Sequence, residues 1–279
     1  MKLYSVNAGH FKLDGGAMFG VVPKSMWNKL NPADENNMCN WAMRCWLIED
    51  GKRLILVDNG MGDKQDAKFF GFYYLNGDDT LQRSLAKHGF SFDDVTDVVL
   101  THLHFDHCGG SIKFNDDKSK LIPTFKNATY HVNEKHWNWA INPNAREKAS
   151  FLKENILPIK ESGQLNYITA ETKLIEGLSF VEVNGHTEAM MLPKLNYNGN
   201  TLLYMADLIP SAAHLPLPYI MSYDVRPLET LKEKTMLLNE AAKNNWLLFF
   251  EHDKSVECIS LEQTEKGVRM KNEIKVADL

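Results

Sequence analysis

The chain has 279 residues, 44% hydrophobic and 24% charged, which is enough apolar material for a large core without covalent staples. Its 31 basic and 36 acidic residues leave a net charge of −5, which argues against nucleic acid as a partner, since phosphate binding needs a clustered positive surface. The four cysteines, Cys39, Cys45, Cys108 and Cys258, contain no C-x-x-C pair and predict no disulfide framework. The opening segment MKLYSVNAGHFKLDGG lacks the apolar stretch of a signal peptide, and no run reaches the length of a membrane span. With no Pro/Ser-rich linker either, the expectation is one cytoplasmic domain over residues 1–279, with no membrane association.

In chain order, short apolar runs predict strands at Arg53–Asp58, Asp97–Thr101, Thr129–Val132, Ser179–Val183, Leu202–Asp207 and Trp246–Glu251. Amphipathic spacing predicts helices at Leu81–His88 and Leu228–Lys243, the second with Leu228, Leu231, Leu238 and Ala242 on its buried face and Pro227 in its first turn. The tryptophans Trp41, Trp46, Trp137 and Trp139 are expected in core or lid packing. A weak internal repeat orders these elements. RLILVD ends at Asp58 and LLYMAD at Asp207, and each is followed by a helix and then by an apolar strand ending in histidine, His102 or His252. The Asp-to-His separations are 44 and 45 residues. Two such halves packed face to face make an α/β fold, a four-layer αββα sandwich with both sets of strand ends at one edge.

The chemistry is concentrated in T-H-L-H-F-D-H-C-G-G, Thr101–Gly110. Imidazole plus carboxylate is the donor set of zinc and related divalent metals. His102 and His104, one residue apart after a strand, can point the same way. Asp106 and His107 lie where the chain turns and can face a second metal, and Gly109 and Gly110 are expected to lead into a following helix.

This H-x-H-x-D-H run resembles the signature of the metallo-β-lactamase superfamily, and the remaining pattern follows in order: Asp58 in V-D-N-G, His186 in N-G-H-T, Asp207 in M-A-D-L and His252 in F-E-H-D. The resemblance implies one metal on His102, His104 and His186, a second on Asp106, His107 and His252, and Asp207 bridging them. Asp106 and Asp207 are the carboxylates expected to serve catalysis. Asp58 is expected to orient His102 through the imidazole nitrogen that faces away from the metal. Two divalent ions are implied, zinc first and iron or manganese as alternatives.

Some family branches fit less well. Where many members carry a histidine four residues after the one in G-H-T, this chain has Met190. No cysteine lies near A-D-L, unlike lactamases with an Asp–Cys–His second site, and His104 stands where flavodiiron members have glutamate. Two close metals can hold a water as hydroxide near neutral pH, so no serine or cysteine nucleophile is needed. The segment Asp14–Lys24 resembles a loop of lactonase and organophosphate hydrolase relatives and would place Met18 and Phe19 at the pocket. His214 is placed at the pocket mouth. The lactonases' tyrosine three residues after the bridging aspartate is replaced by Pro210, and Tyr223 is the candidate substitute donor. The expected function is hydrolysis of a small neutral ester or lactone, with a homodimer compatible. The alternatives are a phosphotriester or thioester hydrolase, an iron-dependent persulfide dioxygenase, or a non-catalytic binder.

Overall fold

Alternation of large apolar residues on both faces of a strand requires a sheet covered on both sides. The computed structural model, which describes Met1–Leu279, has two such sheets. The first contains β1 (Lys2–Asp14), β2 (Met38–Asp50), β3 (Arg53–Val57), β4 (Asp97–Val99), β7 (Thr129–Asn133) and β8 (Leu165–Ile168), in that order across the sheet. The second contains β9 (Leu178–Val183), β10 (Met190–Tyr197), β11 (Asn200–Tyr204), β12 (Leu247–Phe249), β13 (Cys258–Thr264) and β14 (Gly267–Ile274), with β9 and β14 at its edges. A small hairpin pairs β5 (Ile112–Phe114) with β6 (Leu121–Pro123).

The strand period sorts the core. Trp46, Ile48, Ile55, Val57 and Val99 point inward and pack with Phe180, Leu192, Tyr204 and Phe249 of the second sheet. Cys45, Leu47, Leu54, Leu56 and Val98 point the other way, onto α4 (Leu81–Lys87), α6 (Glu134–Ile141) and α7 (Lys153–Glu161). Helix α8 (Pro227–Lys243) packs Leu237, Leu238 and Ala241 on the outer face of the second sheet. The architecture is the expected αββα sandwich. The repeat is also real in three dimensions: β3 pairs parallel to β4 across α4, and β11 pairs parallel to β12 across α8.

One local expectation needs correction, and two strand pairs were not foreseen. Leu228 is 81% exposed, because α8 turns Thr230, Glu233, Lys234, Leu237 and Leu238 inward. Its buried face therefore carries polar groups that bond to loops, which a purely apolar periodicity does not register. Trp139 packs against the core under the first sheet as expected, half-buried, donating its indole N–H to Glu147 while Arg226 stacks on its ring. The long β1–β2 pair and the β13–β14 hairpin lay outside the predicted strands.

Candidate metal site

Both parallel crossovers deliver their strand ends to one edge, where the left-handed backbone of Asp58 (φ 56°) and of Ala206 (φ 41°) turns the chain sharply. His102 and His104 follow β4. Asp106 and His107 sit in the first turn of α5 (Phe105–Cys108), so the second half of the motif is helical. Gly109 and Gly110 continue into a 3-10 turn and β5, rather than into a longer helix. A Cβ at Gly109 would lie 2.2 Å from the Met61 carbonyl oxygen, and one at Gly110 would lie 2.3 Å from that of Asn59. These glycines let the loop after Asp58 press against the motif.

The donors fall into two buried groups. His102, His104, His186 and Asp207 form one; Asp106, His107 and His252 form the other. In the first, His104 Nδ1 lies 3.1 Å from His186 Nε2. In the second, His107 Nε2 lies 3.1 Å from His252 Nε2. Asp207 Oδ2 is 3.1 Å from His186 Nε2, 3.8 Å from His102 Nε2 and 3.5 Å from His107 Nε2, while its Oδ1 is 3.1 Å from His252 Nε2. Asp106 Oδ2 lies 3.7 Å from both His107 Nε2 and His252 Nε2. One carboxylate thus reaches both groups.

The polar accounting fits a metal. His102 Nε2 is buried without any hydrogen-bond partner, an arrangement that costs a few kcal/mol in order of magnitude unless something compensates. Without a cation, protons take that role. Burial opposes charge on His252, yet neighbouring Asp207 pushes its imidazole up to about 9. Burial and the surrounding histidines hold His102 well below the usual histidine range.

Each ring nitrogen facing away from the site meets a specific group. His102 Nδ1 lies 3.0 Å from Thr101 Oγ1, whose hydroxyl donates to Asp58 Oδ2 at 2.7 Å. Asp58 Oδ2 lies 3.1 Å from His107 Nδ1. Asp58 therefore reaches His102 only through Thr101 and holds His107 directly, because its turn directs the carboxylate along the backbone of residue 101, whose N–H it also accepts at 2.8 Å. Three acidic residues not singled out in the sequence join it. Asp224 accepts from His186 Nδ1 at 2.8 Å. Glu251 Oε2 lies 3.0 Å from His107 Nδ1, and burial pushes its carboxyl up to about 8. Glu147 Oε1 lies 3.6 Å from His104 Nε2. Burial works against charge on Glu147, but contacts with His104, Thr187 and Trp139 hold it at about 2. Only Glu251, next to His252, carried a local sequence signal. His252 Nδ1 meets the Ala42 carbonyl at 2.8 Å.

A cavity of about 340 Å³ opens on these groups, its walls including Leu13, Met18, Tyr73, Phe105, Met221 and Tyr223, with Arg146, Glu147 and Ser222. Met18 and Tyr223 are where the sequence placed them. Phe19 and His214 are not in its lining. The Phe19 ring is fully buried, stacked 5.1 Å from Trp27 on one side and 4.4 Å from His214 on the other. His214 lies 2.9 Å from the Met18 carbonyl oxygen and 2.8 Å from Ser211 Oγ, so both residues support the loop from behind. Met190 is buried in the inter-sheet core, and the Pro210 carbonyl accepts from the His252 backbone N–H at 3.0 Å.

Residues 44–252 match the family model described as metallo-beta-lactamase superfamily. An N-acyl homoserine lactonase of Bacillus thuringiensis is 27% identical over 198 residues, covering 67% of this chain and 66% of the lactonase, slightly under two thirds of that relative's length. A probable metallo-hydrolase of Mycobacterium bovis is 29% identical over 48% of this chain and 45% of its own. Among solved structures, a probable metal-dependent hydrolase from Staphylococcus aureus superposes with a TM-score of 0.87 at 24% identity, covering 98% of both chains. AidC, a dizinc quorum-quenching lactonase solved with its product, superposes with a TM-score of 0.77 at 22% identity, covering 98% of this chain and 94% of its own. With three quarters of its length inside the family model and the αββα fold around it, the chain belongs to the metallo-beta-lactamase superfamily.

Proposed function

We propose that the chain is a binuclear metal-dependent hydrolase of a small neutral ester or lactone. The observation that carries this reading is Asp207, whose two oxygens face both donor groups. His102, His104 and His186 would hold one ion, and Asp106, His107 and His252 the other, with Asp207 shared and Asp106 and Asp207 the catalytic carboxylates. Zinc suits the mixed imidazole–carboxylate set, with iron or manganese the alternatives. When bound, such a pair supplies Lewis acidity and an activated water at neutral pH. The chain's own groups do the rest. Asp58, Glu251, Asp224 and the Ala42 carbonyl orient the imidazoles from behind. Leu13, Met18, Phe105 and Met221 give the apolar wall an uncharged acyl or alkyl group needs. Burial pushes the Tyr73 phenol up to about 12, so it stays an O–H donor at neutral pH, and Tyr223 beside it offers a second hydroxyl for a carbonyl oxygen.

Lactone hydrolysis is the activity named for the Bacillus relative, and it fits this cavity. Both halves contribute to one site, which supports reading residues 1–279 as a single domain. No helix is long and apolar enough to cross a membrane. The test is a panel of lactones, aryl esters, phosphotriesters, thioesters, oligonucleotides and glutathione persulfide, run on one zinc-loaded preparation alongside elemental analysis. Two ions per chain and a preference for neutral lactones or esters are expected. Saturation at one ion would remove the binuclear reading. Oligonucleotides as best substrates, or turnover only of persulfide with oxygen consumption, would remove the substrate reading.

A further inference from the structure

His104 presents Nδ1 to the donor group, whereas His102 and His186 present Nε2. An imidazole that ligates through Nδ1 must carry its proton on Nε2. His104 Nε2 is buried with no hydrogen-bond partner, and the acidic group facing it is Glu147 Oε1 at 3.6 Å. Glu147 is itself only 3% exposed. Its Oε1 accepts from Thr187 Oγ1 at 2.6 Å, and its Oε2 accepts from Trp139 Nε1 at 2.8 Å and from Asn144 Nδ2 at 2.5 Å. Three donors from three segments thus fix the carboxylate, one of them the residue after His186. The same turn is joined to the motif, since the Phe105 N–H donates to the Ser150 carbonyl at 3.0 Å, and His104 packs on Phe151 with ring centroids 4.7 Å apart. Its other members, Arg146, Ala149 and Ser150, line the cavity.

We infer that Glu147 is a positioning residue: it selects the Nε2-protonated tautomer of His104, leaving Nδ1 free to ligate, and couples that ligand to the turn that forms the substrate wall. A negative oxygen at this distance stabilises a proton on the near nitrogen and destabilises a lone pair there. The anchoring donors keep Oε1 from swinging toward the metals, so Glu147 acts through His104 rather than on the substrate.

The inference rests on the metal reading above, and its test is read without substrate. In the metal-free full chain, ¹⁵N-histidine spectra should show His104 protonated on Nε2. Glu147→Gln, close to isosteric, should shift that population and weaken zinc binding, measured by chelator competition, by about 10–100-fold. Trp139→Phe removes one of the three donors to Glu147 without touching His104, and should weaken zinc affinity by clearly less than Glu147→Gln does. Zinc affinity of Glu147→Gln within twofold of wild type, or an equal loss in Trp139→Phe, would overturn the assignment. If Glu147→Gln does not fold, the wild-type spectrum decides: a proton on Nδ1 of metal-free His104 refutes it. Failure of the wild type to bind zinc would remove the metal reading itself, whereas equal binding by wild type and Glu147→Gln removes only this inference.

Discussion

Replacing Asp224 separates ligand orientation from ligation itself. Its carboxylate lies 2.8 Å from His186 Nδ1, and both side chains are about 1% exposed. Because a carboxylate only accepts, the proton sits on Nδ1 and Nε2 is turned into the site. Asp224→Ala leaves a buried N–H unpaired, which should cost about 1–3 kcal/mol of metal-free stability. It also frees the ring to rotate. Loss of such a partner typically lowers metal affinity about 10–100-fold, or roughly 1.4–2.7 kcal/mol. Asp224→Asn can still offer a neutral oxygen, so its effect should be about half as large in free energy. Zinc affinity by competition with a chromophoric chelator, with thermal melts of the metal-free proteins, reads both terms. The order wild type, Asn, Ala is expected in each. Wild-type zinc affinity in Asp224→Ala would refute the claim that Asp224 sets the orientation of His186.

Asp207→Ala should abolish the second equivalent of bound metal and lower turnover by orders of magnitude while the melt remains cooperative; two bound ions in this variant would contradict the shared role. Met18→Ala should raise KM for apolar substrates with kcat nearly unchanged, because Met18 lines the cavity and the binding it provides is uniform. Phe19→Ala should instead cost about 3–5 kcal/mol of stability, seen in denaturant melts, because it empties the stack between Trp27 and His214. His214 gives a pH signature: burial pushes its imidazole down to about 3. Below pH 6.5 the unfolded chain takes up a proton that the folded chain refuses, so stability should fall by about 1.4 kcal/mol per pH unit down to about pH 3, with no contribution above pH 6.5. His214→Asn should flatten that limb, and an unchanged slope would place the loss elsewhere.

The sandwich and the cluster of candidate donors in the H-x-H-x-D-H run were legible in the sequence, while His186 and the ligand roles of Asp207 and His252 came through the resemblance to the metallo-β-lactamase pattern. The sandwich and the cluster depend on local regularities: a parallel crossover leaves an apolar strand, a helix and another strand in fixed order, and a metal motif packs its donors into a few adjacent positions. Asp58–His102 and Asp207–His252 could therefore be read as two copies of one unit. What stands behind and around the donors had no such regularity. Asp224 and Glu147 reach the site from separate turns and Tyr73 from the end of a helix, and only the folded chain brings Asp224 to His186 across 38 residues and Glu147 to Thr187 across 40. Phe19 and Met18 are adjacent in the chain and both pack in one buried cluster, yet only Met18 also lines the cavity. Successive residues of their short helix point in different directions, and the rings of Trp27 and His214 hold Phe19 away from the cavity. The four candidate donors of the motif are written in short-range spacing, whereas their grouping with His186, Asp207 and His252, their orientation and the pocket shape come from contacts between distant segments, which appear only when the chain has folded.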